Sequence, residues 1–431
     1  MSGRPRRDAA RRQLLRLAAP DDLSAALPGN GAPVVPPGAP RVDAGSRVLL
    51  TGATGFLGAH LLADLLETAR GDGEVLCLLR CADPRDGARR VREALQRHRR
   101  WRDDHAGRIV VVPGDLGRER LGLDDAAWSG LAREVDVIVH NGAAVNLLLP
   151  WAVLEPANVG ATRALLTLAA TGRPKALHYV STATVHFGRG GVVGEDDPLS
   201  APPRTLGGYV QTKWVAEQWV RAARARGLAA AIHRPAIVGW AAETGIPNLP
   251  GRGDARGDAP RVAPAARAAP QGGDFLCGML AAALKTGVAP ELDLAFNVVP
   301  VDRVSRSLVA AARDPRGTGR DYHLVHARGT TWGELLTLCG ALGHPIERVP
   351  YDAWHRGVDG APGPYAPYLM LLPEADGEGH ASSLAGLLAP ERTPTLSRAN
   401  AEALCRRAGV TYPDVDAALL GRCVPHLLDG D

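Results

Sequence analysis

Short apolar runs alternate with longer helical patterns from Arg47 onward. The runs are apolar almost throughout, which is typical of strands that are buried on both faces of a parallel sheet. The predicted strands cover residues 48–50, 75–79, 109–112, 137–140, 177–180 and 229–233. The spacing of apolar residues between them predicts helices over 57–69, 157–169 and 210–225. This order predicts the α/β fold class, with a Rossmann doubly wound parallel sheet.

A glycine-rich segment lies between the first predicted strand and the first predicted helix. Glycines in such a turn permit a tight bend, close approach of the backbone to a pyrophosphate, and close packing of the helix on the strand. The flanking strand and helix supply the context that this motif requires, although an ordinary strand-to-helix turn is the alternative. The predicted dinucleotide-binding residues of the loop are Thr51, Gly52, Thr54, Gly55, Phe56, Leu57 and Gly58.

The end of the second predicted strand carries Arg80, where an NAD enzyme usually has an acidic residue for the ribose hydroxyl. A guanidinium suits a 2′-phosphate through paired, charge-assisted hydrogen bonds, which favours NADPH as the cofactor. Arg89 and Arg90 follow on the next helix and are candidates for a second contact with that phosphate. Alternatively, these arginines form only a solvated helix face.

Polar and small residues also follow the third and fourth predicted strands. Asp115 and Leu116 come after the third strand, and Asn141, Gly142 and Ala143 come after the fourth. We expect Asp115 to accept a hydrogen bond from the adenine amino group, and residues 141–143 to lie along the rest of the cofactor. Binding at the carboxyl edge of an open parallel sheet predicts this order of one group per strand.

Tyr209 and Lys213 are four residues apart in a helical pattern, so their side chains emerge on one face of the helix. A phenol can give a proton to a developing alkoxide, and a nearby ammonium is expected to lower the phenol pKa. Thr182 and Ser181 end the fifth strand and offer a second donor to the same oxygen. Thr182 is the first choice, with Ser181 as the alternative, because adjacent strand residues point to opposite faces.

Composition and charge exclude several classes of protein. The net charge of +4 gives no general case for nucleic-acid binding, and no apolar stretch is long enough to span a membrane. The six cysteines show no spacing typical of a metal site, so we expect no metal and reduced thiols in a cytoplasmic protein. The arginines near the start form either a solvated tail or a docking arm for an acidic partner: Arg4, Arg6, Arg7, Arg11, Arg12 and Arg16.

The same patterns predict a division of the chain. Residues 1–43 are rich in Arg, Pro and Gly and are expected to be a disordered tail, and 44–240 to be an NADP-binding Rossmann domain. Residues 241–431 are expected to form a smaller mixed α/β substrate-binding region. Within it we expect a flexible loop at 251–273, a segment at 294–313 that returns to the core, and helices at 275–285 and 331–342.

Together these motifs resemble the extended short-chain dehydrogenases, and most closely their thioester reductases, the terminal reductase domains of nonribosomal peptide synthetases, polyketide synthases and carboxylic acid reductases. The resemblance covers about residues 46–313, and it rests on the motifs above and on segments 140–146, 209–217, 234–235 and 299–302. It implies that Tyr209 donates a proton and that Lys213 supports it and holds the nicotinamide ribose. It also implies cofactor contacts for Ser181, Tyr209, Lys213, Pro235 and Ile237.

The family resemblance further implies a substrate and a partner. The substrate would be an acyl or peptidyl thioester on the phosphopantetheine arm of a carrier protein, and the product an aldehyde or an alcohol. The chain would then be a discrete reductase or a piece of a larger synthetase. A fatty acyl-CoA reductase and an NAD-dependent sugar-nucleotide epimerase or dehydratase remain alternatives. A nonenzymatic NADP sensor is a further alternative, although it would not need Thr182, Tyr209 and Lys213.

Overall fold

The computed structural model describes residues 15–18, 38–187, 190–199, 207–249, 275–359, 363–366, 368–369 and 393–429. Within these ranges, seven parallel strands form one sheet in the order β7-β6-β5-β4-β1-β2-β3. The strands are β1 (Arg47–Thr51), β2 (Glu74–Leu79), β3 (Ile109–Pro113), β4 (Val137–His140), β5 (Ala176–Val180), β6 (Ala230–Pro235) and β7 (Asp321–Leu324). The strand order reverses between β1 and β4, which confirms the predicted Rossmann fold class.

Helices cover both faces of this sheet. Alternate residues of each strand enter separate cores, so Leu49 packs on one side of the sheet and Leu50 on the other. The helices are α1 (Phe56–Thr68), α2 (Pro84–Arg97), α3 (Asp125–Glu134), α4 (Trp151–Glu155), α5 (Ala161–Ala170), α6 (Gly208–Ala225), α7 (Phe275–Thr286), α8 (Val301–Arg313), α9 (Trp332–Ala341), α10 (Tyr351–Asp359), α11 (Ala399–Ala408) and α12 (Ala417–Asp429).

A further hydrophobic core lies outside the sheet and joins α7, α9 and α12 around Trp240, Leu280 and Trp332. Short strands pair in twos at its border, namely Ile237–Gly239 with Val298–Pro300, Ala295–Phe296 with Thr330–Thr331, and Val288–Pro290 with Glu347–Val349. Another pair joins Val192–Val193 to Thr395–Leu396. α9 begins at a capping box in which the Thr331 hydroxyl accepts from the Glu334 amide and the Glu334 carboxylate accepts from the Thr331 amide. Among the described residues, no helix is both long and apolar enough to cross a membrane.

The structure differs from the sequence predictions at two places. The helix expected over 157–169 starts earlier, because α4 continues through a π-helical turn, Pro156–Gly160, into α5. Pro156 is accommodated as the first residue of that turn, so it does not end the helix. The strand β7 was not predicted, and it adds residues from the expected substrate-binding region to the Rossmann sheet. Of the expected tail, only 15–18 and 38–43 are described, and the expected loop at 251–273 lies outside the described residues.

Candidate active site

The glycine-rich loop joins β1 to α1 at the carboxyl edge of the sheet. Gly52 has a φ of 72°, and a Cβ there would lie 2.7 Å from the Cα of Gly142 in the loop after β4. At Gly58 a Cβ would overlap the carbonyl oxygen of Gly52, so the helix packs directly on the turn. Gly55 precedes α1 without a side-chain cap, and the first turn carries no acidic residue. The positive end of the helix dipole is therefore available to a pyrophosphate.

Other residues predicted in this loop have different surroundings. The Thr51 hydroxyl accepts a hydrogen bond from the Gly142 amide at 2.9 Å, which ties the loops after β1 and β4 together. The ring of Phe56 contacts the rings of His60 and His98, and Leu57 packs against the hydrophobic core.

The arginines after β2 separate into two kinds. Arg80 is partly buried at the end of the strand, and Arg90 Nη1 donates to its carbonyl oxygen. Arg89 instead forms ion pairs with Asp86 and Glu93, both at 2.7 Å, on the exposed face of α2. The solvated-face alternative thus describes Arg89, whereas Arg80 and Arg90 lie together at the strand end.

The strand-end residues after β3 and β4 meet beside the glycine loop. Leu116 packs against Gly142, where an added Cβ would lie 2.7 Å from its methyl carbon. Asn141 Nδ2 lies 3.4 Å from the Gly52 carbonyl oxygen. Asp115 Oδ1 accepts from the Gly117 amide at 2.8 Å and stays partly exposed, as does Ala143. These residues line the edge of the sheet in the predicted order.

Tyr209 and Lys213 lie in the first two turns of α6. The Lys213 ammonium donates to the Val180 carbonyl oxygen at 2.6 Å and lies 4.3 Å from the centre of the Tyr179 ring. Lys213 is 3% exposed, and burial lowers its pKa to about 7. Burial also raises the pKa of Tyr209 to about 12. The expectation that Lys213 lowers the phenol pKa is therefore wrong here, because loss of solvation dominates at both groups.

Thr182 and Ser181 point to different neighbours. Ser181 Oγ donates to Glu217 Oε2 at 2.8 Å inside the protein. Thr182 begins the 3-10 turn Ala183–His186, and its hydroxyl accepts from the Thr184 amide. The two threonine hydroxyls are also 2.9 Å apart. When the Thr184 amide and the Thr184 hydroxyl both donate to Thr182 Oγ1, the Thr182 hydroxyl hydrogen stays available for a substrate oxygen. The Ser181 hydroxyl hydrogen is used on Glu217, so Thr182 is the better candidate for the second donor.

A buried ion network that sequence reasoning did not identify holds α6 to the sheet. Arg234 and Glu217 are both fully buried, and Arg234 Nη2 lies 2.5 Å from Glu217 Oε1. Arg234 also binds Asp321 at 2.7 Å, and Arg221 and Arg224 pair with the same aspartate. A charged residue in an otherwise apolar strand was the available signal, but its partners are distant in the sequence.

Asn158 was also not identified from the sequence, and it connects the loop after β4 to α6. Its Oδ1 accepts from the Ala144 amide at 2.7 Å, and its Nδ2 donates to the Ala144 carbonyl oxygen at 3.1 Å. The same Nδ2 donates to the Thr212 hydroxyl at 2.9 Å. A polar residue within an apolar helical pattern was the signal in the sequence. Asn158 thereby links the loop after β4 to α6, the helix that carries Tyr209 and Lys213.

The remaining predicted cofactor contacts lie at the end of β6. Pro235 is buried as its last residue, and Ile237 begins the short strand that pairs with Val298–Pro300. Both follow the buried Arg234 at the carboxyl edge of the sheet. Among the described residues, no group of three or more His, Cys, Asp or Glu side chains is arranged to hold a metal ion.

Comparison with known proteins gives consistent matches. Residues 50–308 match an NAD-binding family described as male sterility protein. The isonitrile lipopeptide synthase of Streptomyces coeruleorubidus is 34% identical over 88% of this chain and 24% of its own length. The L-2-aminoadipate reductase large subunit of Candida glabrata is 32% identical over 73% of this chain and 23% of its own. The chain thus spans less than a quarter of either relative.

A solved structure matches over nearly its whole length. The terminal R domain from the myxalamid PKS-NRPS biosynthetic pathway has a TM-score of 0.79 and 32% sequence identity. The match covers 97% of this chain and 97% of that domain. The resemblance therefore extends beyond the Rossmann sheet into the region that follows it.

Proposed function

Because the chain belongs to the NAD-binding family described as male sterility protein, we propose that it reduces an acyl or peptidyl thioester to an aldehyde with NADPH. The thioester is carried on the phosphopantetheine arm of a carrier protein, and the aldehyde can be reduced again to an alcohol. The observation that carries this proposal is the match to a terminal R domain over 97% of both chains. The family and its reductase class confirm the resemblance inferred from the sequence.

The chain's own residues fit a dinucleotide. The close approach of Gly52 and Gly142 leaves no room for a Cβ, and the uncapped start of α1 offers backbone amides to a pyrophosphate. Arg80 and Arg90 would hold the 2′-phosphate, and Lys213 the nicotinamide ribose. When bound, NADPH supplies the hydride that the thioester carbonyl carbon receives. The specificity for NADPH rests on Arg80, since a guanidinium pairs with a phosphate and an acidic side chain would repel it.

The catalytic residues act on the carbonyl oxygen. Thr182 and Tyr209 donate hydrogen bonds to it, and Tyr209 transfers its proton as negative charge develops. A phenol with a pKa of about 12 is protonated at neutral pH, which is the form that a proton donor needs. The hemithioacetal that results loses the carrier thiol and leaves the aldehyde. Lys213 supports this step when it is protonated, since burial lowers its pKa to about 7.

The experiment is to follow NADPH oxidation with an acyl-pantetheine thioester, while the aldehyde is trapped and identified. Controls omit the thioester, replace NADPH with NADH, or use the Tyr209→Phe variant. We expect thioester-dependent oxidation, an aldehyde product and loss of turnover in the variant. Faster turnover of an acyl-CoA than of the same acyl group on a carrier protein would favour the acyl-CoA reductase alternative. NAD that stays bound through purification, without net oxidation of NADPH, would favour the epimerase alternative.

A further inference from the structure

A chain of buried hydrogen bonds runs inward from the loop after β4. The Gly142 amide donates to Thr51 Oγ1 at 2.9 Å, and this hydroxyl lies 2.9 Å from His140 Nδ1. On the other side of the ring, His140 Nε2 lies 3.1 Å from Thr162 Oγ1. The Thr162 hydroxyl donates to the Asn158 carbonyl oxygen at 2.6 Å. His140 thus bridges two threonines that belong to different elements.

The direction of each bond follows from its two ends. A backbone carbonyl can only accept, so the single hydroxyl hydrogen of Thr162 is used on Asn158. Thr162 must therefore accept from His140, which places a hydrogen on Nε2. Nδ1 of a neutral ring is then bare and accepts from Thr51, whose oxygen still accepts from the Gly142 amide. The opposite tautomer would set the lone pairs of Nε2 and Thr162 against each other.

The chain continues to the catalytic helix through the side chain of Asn158. Its Nδ2 donates to Thr212 Oγ1, and the Thr212 hydroxyl donates to the Tyr209 carbonyl oxygen at 2.8 Å. His140 is 1% exposed and Thr212 is fully buried, so water does not compete for these bonds. The chain of hydrogen bonds thereby connects the Gly142 amide to the Tyr209 carbonyl oxygen. It passes in order through Thr51, His140, Thr162, Asn158 and Thr212.

We propose that His140 is a positioning residue, held as the neutral Nε2–H tautomer, that couples the dinucleotide loops to the catalytic helix α6. This proposal rests on the proposed function, since the coupling matters only if cofactor and Tyr209 act on one substrate. The surroundings favour a neutral ring: burial lowers the pKa of His140 to about 3, and the nearby Lys213 charge contributes to that shift. A proton on Nδ1 would also displace the hydroxyl hydrogen of Thr51 from its acceptor.

The tautomer can be read directly by long-range proton–nitrogen NMR on protein labelled at its 13 histidines. His140 is assigned by the signals lost in His140→Gln or, if that variant does not fold, by the signals that shift in Thr162→Ser. We expect a bare Nδ1 and a protonated Nε2 from pH 8 to about pH 5.5. An Nδ1–H tautomer, or protonation near the ordinary pKa of about 6.5, would overturn the proposal. This result does not depend on turnover.

The coupling is tested by kinetics of Thr162→Val, which breaks the chain without contacting the catalytic or cofactor-binding residues named above. We expect kcat to fall about tenfold or more, with a larger isotope effect from NADPH deuterated at C4, because misplacement slows hydride transfer itself. Thr162→Ser should restore the rate. A matched control is Thr167→Val on the same helix, where the hydroxyl donates to the Arg163 carbonyl oxygen outside the chain.

The outcomes separate three explanations. A variant that is merely less folded would lose apparent rate with an unchanged isotope effect, and that result contradicts coupling. Equal effects of Thr162→Val and Thr167→Val would contradict it as well. If the wild-type protein reduces no thioester, the proposed function fails, whereas the NMR measurement still decides the tautomer.

Discussion

Two neighbouring hydroxyls at the end of β5 belong to Thr182 and Ser181, and separate substitutions of these residues should distinguish an effect on catalysis from an effect on stability. Thr182→Val removes the donor beside the expected carbonyl oxygen while keeping the side-chain shape. Loss of one such donor costs about 10²-fold in kcat, or about 2.7 kcal/mol of transition-state stabilisation. Thr182→Ser keeps the hydroxyl and should retain most of the rate. Tyr209 remains in both variants and provides the other hydrogen bond.

Ser181→Ala should have the opposite effect. Its hydroxyl donates to the buried Glu217 carboxylate at 2.8 Å, and a hydrogen bond to a charged group contributes about 1.5–3 kcal/mol. Glu217 Oε2 keeps a second donor, Arg234 Nε, at 3.1 Å, so we expect the lower end of that range. The free energy of unfolding should therefore fall by about 1.5 kcal/mol with kcat nearly unchanged.

The assay combines thioester-dependent NADPH oxidation at saturating substrate with urea unfolding of each variant. We expect a large kcat loss in Thr182→Val alone and a loss of unfolding free energy that is largest in Ser181→Ala. A kcat loss in Ser181→Ala equal to that in Thr182→Val, in a fully folded protein, would refute the assignment of the second donor to Thr182.

Three other substitutions test separate parts of the site. Arg80→Ala should weaken the binding of NADPH by about 1.5–3 kcal/mol and the binding of NADH far less. Equal losses of affinity for the two cofactors in fluorescence titrations would remove the basis for NADPH specificity. Glu217→Gln should destabilise the protein by about 3–5 kcal/mol at pH 7, because Arg234 is left incompletely paired. Burial alone would raise the pKa of Glu217, but the charge of Arg234 lowers it overall. The stabilisation from this pair is therefore present above the unfolded pKa and is lost as pH falls through the folded pKa. A Glu217→Gln variant as stable as wild type at pH 7 would contradict this prediction. Lys213→Met should abolish turnover yet raise the free energy of unfolding at pH 7 by about 1–3 kcal/mol, because burial lowers the lysine pKa from 10.5 to about 7. Between these two pKa values only the unfolded chain keeps the lysine proton, so the wild-type free energy of unfolding rises with pH. The stability difference between Lys213→Met and wild type should therefore shrink by about pH 9.5. A difference that stays constant with pH would contradict the burial argument.

Local patterns were sufficient for much of the fold. β1, β2, β4 and β5 lie close to their predicted bounds because strands buried on both faces leave a continuous apolar run in the sequence. The glycine loop was recognisable because its backbone geometry restricts the residue type, as at Gly52. These features depend on neighbours in the chain.

The features that sequence missed depend on distant residues. β7 contains Asp321 and His323, which do not form an apolar run, and Asp321 is buried only because three arginines compensate its charge. The sequence made Thr182 the first choice but left Ser181 open, because the contact that occupies the Ser181 hydroxyl comes from Glu217 in another element. The pKa of Tyr209 depends on the depth of its burial, which a four-residue spacing with Lys213 does not reveal.

The most direct test of the central claim is transfer of deuterium from NADPH labelled at C4 of the nicotinamide to an acyl-pantetheine thioester. We expect an aldehyde that carries deuterium on its carbonyl carbon when the transferred face is labelled, and no such product with Tyr209→Phe. An unlabelled aldehyde or alcohol from both labelled faces, or neither product from any thioester, would contradict it.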